Sequence, residues 1–223
     1  MKKVMLALAL LGTPLLGFAQ GQIGAYQEGV HYHKIAGPEV TPVDGVRVTE
    51  VFSYLCNHCA TFEPYVQAWK TRKPENVELT RIPVEFGRAI WSLYARAYVT
   101  ASMLGVAEEA HVAMMDTLWK ERRQMRSMEQ IADFYANYGV APDKFLATSK
   151  SFAVDMRMKN EQKVVRDAGI SGTPSMLVND RYRVSVGGAV NSWGTMLAIV
   201  DALVADEQAR MAAAAAVPEA IAE

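Results

Sequence analysis

Val46-Arg47-Val48-Thr49-Glu50-Val51-Phe52 is a compact β-branched run and predicts a buried strand. It leads through Ser53-Tyr54-Leu55 into a stretch with a different period. Phe62, Tyr65, Val66 and Trp69 fall at i, i+3, i+4 and i+7, so a helix should begin near Asn57. Pro64 lies inside that helix and should kink it by removing one backbone donor. Val77 to Val84 predicts a second strand, bounded by Pro74 and Gly87. Ahead of both, Tyr26 to Ile35 predicts a first edge strand, with Gly29 and Gly37-Pro38 as punctuation.

Residues 88–168 read as helical throughout. Trp91, Ala95, Tyr98 and Val99 share one face, as do His111, Met114, Met115 and Leu118. A further segment runs from Met128 to Tyr138 and ends at Gly139, and Pro142-Asp143 opens a short turn. A long helix from about Ser151 stops at Gly169, which takes the C′ position. Ser175 to Val178 then predicts a strand, Asn179-Asp180 a hairpin turn, and Tyr182 to Val186 its partner. Asn191 or Ser192 caps a last helix, and the alanine-rich end at 211–223 should fray. Strand–strand–helix–strand, a helical block, then strand–strand–helix indicates one α/β domain interrupted by a helical subdomain. The outer body covers 20–87 and 169–210, and the insertion 88–168.

The first residues change where this domain is placed. Lys2-Lys3, the apolar run Val4 to Leu11, the break at Gly12-Thr13-Pro14 and the small residues Gly17 and Ala19 make a secretory signal peptide over 1–19. Pro14 and Gly17 interrupt the run well short of the roughly 20 apolar residues a membrane anchor needs. The mature protein is therefore expected outside the cytoplasm, in a bacterial periplasm. The leader carries two lysines and no acid, so its removal moves the formal charge from −1 to −3. Such a balance gives no support for nucleic-acid binding.

The chain has two cysteines, Cys56 and Cys59, separated by Asn57-His58. As a staple the pair does little: closing a four-residue loop contributes roughly 2 kcal/mol, against about 4.7 for a hundred-residue one. Redox chemistry is the stronger reading, ahead of an inert cross-link or a metal clip. At a strand-to-helix junction the Cys56 sulfur should face the unpaired N–H groups of the first turn, which favour an anion. Each lowering of a thiol pKa by one is worth about 1.4 kcal/mol, or roughly 30 mV of added oxidising power. Cys59, one turn inward, is the resolving thiol. His58 can donate a hydrogen bond or bring positive charge toward the Cys56 sulfur. No metal site follows, because Cys56, Cys59 and His58 cannot close a zinc tetrahedron and no second Cys pair exists. Covalent haem attachment would need His where Ala60 stands.

Two further positions stand out. Glu50 is an acid among Val48, Val51 and Phe52. It is either a solvent-facing strand residue or a buried proton acceptor that helps deprotonate Cys59. Thr173-Pro174 follows Gly172 and opens a strand; an ordinary X–Pro bond is cis in about 5–6% of cases, so its isomer is not set by sequence.

Glu50-Val51-Phe52-Ser53-Tyr54-Leu55-Cys56-Asn57-His58-Cys59, followed by Phe62-Glu63, resembles the active-site segment of the DsbA family of periplasmic thiol–disulfide oxidases. Gly172-Thr173-Pro174-Ser175-Met176-Leu177-Val178-Asn179 is similar to that family's cis-proline loop and following strand. The resemblance implies a thioredoxin fold with an inserted helical domain, Cys56 as nucleophile, Cys59 as resolving thiol and Pro174 in the cis form. It also implies Thr173 as a partner for an extended substrate backbone, and Glu50 as the family's buried acid. It implies a monomer that needs no cofactor, reduced exported proteins as substrates, and a DsbB-like membrane protein as reoxidant. One departure is visible: Asn57-His58 stands where the family usually has Pro-His, which frees a backbone donor and leaves the potential open. A reductase, an isomerase or a non-catalytic peptide-binding module are the alternatives. The methionines of the insertion (Met103, Met114, Met115, Met125, Met128, Met156 and Met158) should be mostly core, although they could form an adaptable peptide-binding surface.

Overall fold

A computed structural model describes residues 22–36 and 45–216. The expected leader at 1–19, Gly37-Pro38 and the last residues of the tail lie outside the described residues. The chain forms β1 (His33–Lys34), β2 (Val46–Phe52), α1 (Asn57–Arg72) and β3 (Val77–Pro83). Five helices follow before the next strand: α2 (Ala89–Met103), α3 (Ala107–Trp119), α4 (Met128–Ala136), α5 (Pro142–Ser149) and α6 (Phe152–Asp167). The chain closes with β4 (Ser175–Val178), β5 (Tyr182–Ser185) and α7 (Trp193–Ala215).

The sheet order is β1-β5-β4-β2-β3, with β2 and β3 parallel and the other pairs antiparallel. Strand β2 lies inside the sheet between β4 and β3, and every residue of it except Arg47 is buried, including the polar Thr49 and Glu50. One face carries Val48, packed with Phe62, Val66 and Trp69 of α1 and Leu203 of α7. The other carries Val51, packed with Leu177 of β4 and with Val165 and Ala168 at the end of α6. The insertion's last helix thus reaches back into the core of the sheet. The remaining helices enclose a second core in which Phe52, Tyr54 and Cys59 pack with Tyr98, Met114, Leu118 and Tyr135. Helix α1 contributes Cys59 to this core and Phe62 to the core of the sheet, so the Cys56–Cys59 segment lies where the two cores meet. Among the described residues, no helix is long and apolar enough to cross a membrane.

Several expectations need correction. The first edge strand, read over Tyr26 to Ile35, shrinks to His33–Lys34. Gly29, at φ +80°, turns the chain back so that its N–H donates to the Tyr32 carbonyl at 2.8 Å, and β5 offers only two positions for pairing. The helical block is broken after α3, where Glu121–Arg126 forms no helix. The alanine-rich end is helical through Ala215, past the point where fraying was expected. Alanine has the highest helix propensity, and the helix is anchored by buried Glu207, which accepts from Asn179 Nδ2 at 2.6 Å and Arg210 at 2.8 Å. Met114, Met115, Met125 and Met158 are buried, while Met103 and Met156 are exposed.

Elsewhere the local rules hold. Ser192 caps α7 by accepting from the Thr195 N–H at 3.0 Å. Gly169 adopts φ +61° beyond the end of α6, and Asn179 and Asp180 adopt φ near +50° in the β4–β5 hairpin.

Candidate active site

Strand β2 delivers the chain into a tight turn in which the Cys56 N–H donates to the Ser53 carbonyl at 3.1 Å and the Leu55 N–H to Ser53 Oγ at 3.1 Å. That turn leaves Cys56 extended (φ −97°, ψ 115°) as the N-cap of α1, and Asn57 becomes the first helical residue. Its sulfur takes the place of the oxygen of an ordinary capping side chain, accepting from the Cys59 N–H at 3.4 Å. Both cysteines are free thiols; Cys56 is half-buried and Cys59 fully buried.

The two sulfurs are driven apart in acidity. Cys56 is held down to about 5, first by the hydrogen bond from Cys59, then by Thr173 and the main-chain N–H groups of Cys59 and His58, with burial opposing. The Cys56 thiol also lies 3.4 Å from the Thr173 carbonyl, a contact that favours the protonated form, and the donors outweigh it. Burial pushes the Cys59 thiol well above the ordinary range, and the charges on Cys56 and Glu50 push it further. One thiol is thus poised to be an anion at neutral pH and the other to keep its proton.

His58 contributes through its main chain. Its main-chain N–H supports the Cys56 anion, while its exposed imidazole lies 6.3 Å from the Trp193 ring. The ring makes no described hydrogen bond to the sulfur. The Thr173-Pro174 peptide bond is cis, and it brings the Thr173 carbonyl against Cys56.

Of the two readings of Glu50, the solvent-facing one is overturned: the residue is wholly buried. The parallel register of β2 and β3 sets Glu50 beside Arg81, whose Nε donates to Glu50 Oε2 at 2.8 Å. The same guanidinium donates to both oxygens of Glu108 at 2.6 and 2.7 Å, and faces Glu63 at 3.4 Å. Glu63 in turn meets His111 Nε2 at 3.2 Å, and His111 Nδ1 meets the Tyr54 hydroxyl at 3.1 Å. Burial holds His111 below its usual range, so the imidazole is neutral, and three carboxylates share one guanidinium. Glu50, the most deeply buried, is pushed by that burial up to about 7 despite Arg81, whereas Glu63 and Glu108 are lowered by their partners. Glu50 Oε1 has no hydrogen-bond partner among the described residues.

Glu50, Glu63 and His111 bring ligand-type atoms within 4.8 Å of one another. Arg81 already supplies the cation between the two carboxylates, so their arrangement is an ion-pair network.

Arg81, Glu63, His111, Glu108 and Tyr54 were not singled out as site residues from sequence. Arg81 reaches the site through strand pairing, which a single sequence does not show. Glu63 and His111 left a signal: each is a polar residue in an otherwise buried helical stripe, Glu63 with Phe62 and Val66, and His111 with Met114, Met115 and Leu118.

Comparison with known proteins extends this picture. Residues 90–193 match the model of a DSBA-like thioredoxin domain, a span that includes Thr173 and Pro174 but begins after the cysteine pair. The thiol:disulfide interchange protein DsbA of Pseudomonas aeruginosa strain PAO1 is 33% identical over 210 residues, covering 94% of this chain and 98% of the relative. That of Azotobacter vinelandii is 32% identical over 213 residues, covering 93% and 99%. The crystal structure of P. aeruginosa DsbA superposes with a TM-score of 0.75 at 32% identity, covering 84% of this chain and 97% of that one. The oxidoreductase DsbA of Xylella fastidiosa gives 0.72 at 35% identity, covering 80% and 96%.

Proposed function

Because this chain belongs to the DsbA family of thiol:disulfide interchange proteins, we propose that it works in the oxidising direction, passing the Cys56–Cys59 disulfide to reduced exported proteins. The observation that supports this reading is the opposed acidity of the two thiols. A group that stabilises the Cys56 thiolate stabilises the reduced protein, and a disulfide whose reduced form is stabilised oxidises its partners.

A substrate thiolate attacks Cys56 Sγ, the Cys56–Cys59 bond breaks, and Cys59 leaves as a thiolate that takes up a proton. The substrate's second thiolate then attacks its own sulfur in the mixed disulfide and releases Cys56 as a thiolate. Two electrons pass to the protein and one disulfide passes to the substrate. The Cys56 anion needs no proton at neutral pH, which makes it the better leaving group. Reoxidation reverses the sequence, with a DsbB-like membrane protein as acceptor. The leader expected over 1–19 supports a periplasmic setting for this cycle.

Glu50 takes the proton that Cys59 must lose before it can attack a mixed disulfide or be reoxidised. A carboxyl titrating at about 7 exchanges protons near neutrality, and its charge already reaches Cys59. Thr173 and Pro174 border the sulfur and present main chain to an extended substrate, while His58 holds the anion through its main chain.

Cys59→Ser is expected to accumulate mixed disulfides through Cys56 when incubated, with its remaining thiol activated, with reduced exported proteins. Non-reducing gels and mass spectrometry would show them, and their absence would favour a non-catalytic binding module. Glu50→Gln should slow resolution by Cys59 about tenfold at pH 7 and flatten its dependence between pH 6 and 8. Stopped-flow resolution of a preformed mixed disulfide measures both, and an unchanged profile would remove Glu50 from proton transfer.

A further inference from the structure

The longest irregular stretch between β3 and β4 follows α3, and it is built unlike an idle loop. Its main chain is fixed at several points. The Met125 N–H donates to the Tyr94 hydroxyl at 2.9 Å and that hydroxyl donates to the Met125 carbonyl at 2.8 Å, with Met125 itself buried. The Arg123 N–H donates to the Thr117 carbonyl at 2.9 Å, and the Arg126 N–H to Gln130 Oε1 at 2.7 Å. The side chains carried by this fixed frame face solvent: Lys120, Glu121, Arg122, Arg123, Gln124 and Arg126 are all exposed. Four cations and one acid within seven residues form a strongly basic patch on a chain whose formal net charge is −1.

Nearby acids account for part of that charge. Asp116 takes Lys120 at 2.8 Å, Glu121 takes Arg123 at 3.5 Å, and Asp133 lines a shallow cleft with Arg123 and Met125. Arg122 and Arg126 enter no ion pair among the described residues.

Trp119, the last residue of α3, stands at the edge of this patch and is 38% exposed. Its indole N–H is not available to a partner, because it donates to the Tyr54 carbonyl at 2.9 Å. The ring is therefore held rigidly, with apolar surface open. Tyr54 lies two residues before Cys56, and with consecutive Cα atoms about 3.8 Å apart the indole nitrogen is within about 10 Å of the Cys56 Cα. An exposed tryptophan followed by arginines three and seven residues on has the composition that dominates binding energy at protein interfaces.

We propose that Trp119 with Arg122 and Arg126 forms a docking surface for an acidic segment of the polypeptide whose cysteine reacts with Cys56. The closeness of Trp119 to the nucleophile selects a polypeptide as the occupant, since whatever covers the ring is within reach of the reacting thiol. An extended chain rises about 3.3 Å per residue, so the residue about three positions from the partner's cysteine meets Trp119 and the next ones meet the arginines. The inference rests on the exchange reaction at Cys56 and adds a charge preference to it.

The test uses the full mature protein in its oxidised form and four synthetic peptides, each with one cysteine. Three aspartates or three lysines stand at positions three to five from that cysteine, on its N-terminal or its C-terminal side. In at least one orientation the aspartate peptide should open the Cys56–Cys59 disulfide, forming a mixed disulfide with Cys56 and freeing Cys59, about tenfold faster than the matching lysine peptide at low salt, and the ratio should shrink at 0.5 M salt. In the doubly substituted Arg122→Glu, Arg126→Glu protein the same ratio should fall to one or below. Equal rates for aspartate and lysine peptides in both orientations would overturn the proposal, as would a ratio unchanged in the double variant. So would binding of the double variant's charge-intact parent to phosphatidylglycerol vesicles with no peptide preference, which would make the patch a membrane contact. Failure of every peptide to react would instead strike at the exchange reaction itself.

Discussion

Arg81→Met is expected to destabilise the fold by about 3–5 kcal/mol at pH 7, the usual cost of removing one partner from a buried ion pair. The side chain it replaces is fully buried and answers Glu50, Glu63 and Glu108 at once. Without it, Glu50 and Glu63 stay in the core only by binding protons. The sign of the pH dependence follows. Folded-state pKa values raised above the ordinary carboxylate range mean that the native state holds more protons than the unfolded one. Stability is then lost as pH rises from about 4.3 through the raised values. The variant should therefore be least impaired near pH 5 and most impaired near pH 8. Adding Glu50→Gln removes the acid with the highest proton affinity and should restore part of the loss, most visibly at pH 8. Urea denaturation of the wild type and both variants at pH 5 and 8 measures all of this. A loss below about 1 kcal/mol at pH 8 would mean that solvent already reaches the network.

The second large effect concerns the difference in stability between the reduced and the oxidised protein. Only the reduced form has a Cys56 thiol to titrate, with a pKa lowered to about 5 by hydrogen bonds from Cys59 and its neighbours. For a lowered acid the stabilisation is complete above the unfolded value, about 8.5, and is lost as pH falls through the folded value. The reduced protein should thus gain on the oxidised one steadily between pH 5 and 8.5. Allowing for solvent screening at a half-exposed sulfur, the gain over that window is about 3 kcal/mol. The loop-closing contribution of the disulfide, roughly 2 kcal/mol, shifts both ends of the curve equally and does not alter its slope. Denaturant titrations of the two redox forms at pH 5, 6, 7 and 8 give the slope. A difference that does not change with pH would mean that the Cys56 thiolate draws no help from the fold.

Much of the architecture was legible because local rules and tertiary demands agree. Val46–Phe52 alternates too little for an exposed strand and proved to be a buried one paired on both sides, and Cys56 at the strand-to-helix junction proved to be the cap of α1. The redox pair, the Thr173-Pro174 loop and the helical insertion could be located without coordinates. The first edge strand failed for the opposite reason: Tyr26–Ile35 has strand-like residues, but the Gly29 turn leaves only two of them in reach of β5. At the site, the environment of Glu50 was not legible. Whether an acid on a strand faces water or a guanidinium depends on which strand lies beside it, and the parallel pairing with Arg81 spans the whole of α1. The hydrogen bond expected from His58 comes through its main chain. Its position inside the motif brings its main chain to the sulfur, but the helix directs its ring toward Trp193.

The rate at which iodoacetamide alkylates Cys56 in the reduced Cys59→Ala protein and in the reduced wild type, followed from pH 3 to 9, reads the anion directly. In the wild type the rate should rise with a midpoint near 5 and be flat at neutral pH; replacing Cys59, the leading donor to the sulfur, should move the midpoint upward. A wild-type midpoint near 8.5, that of a thiol in water, would contradict a thiolate stabilised by the first turn of α1 and with it the oxidising direction of exchange.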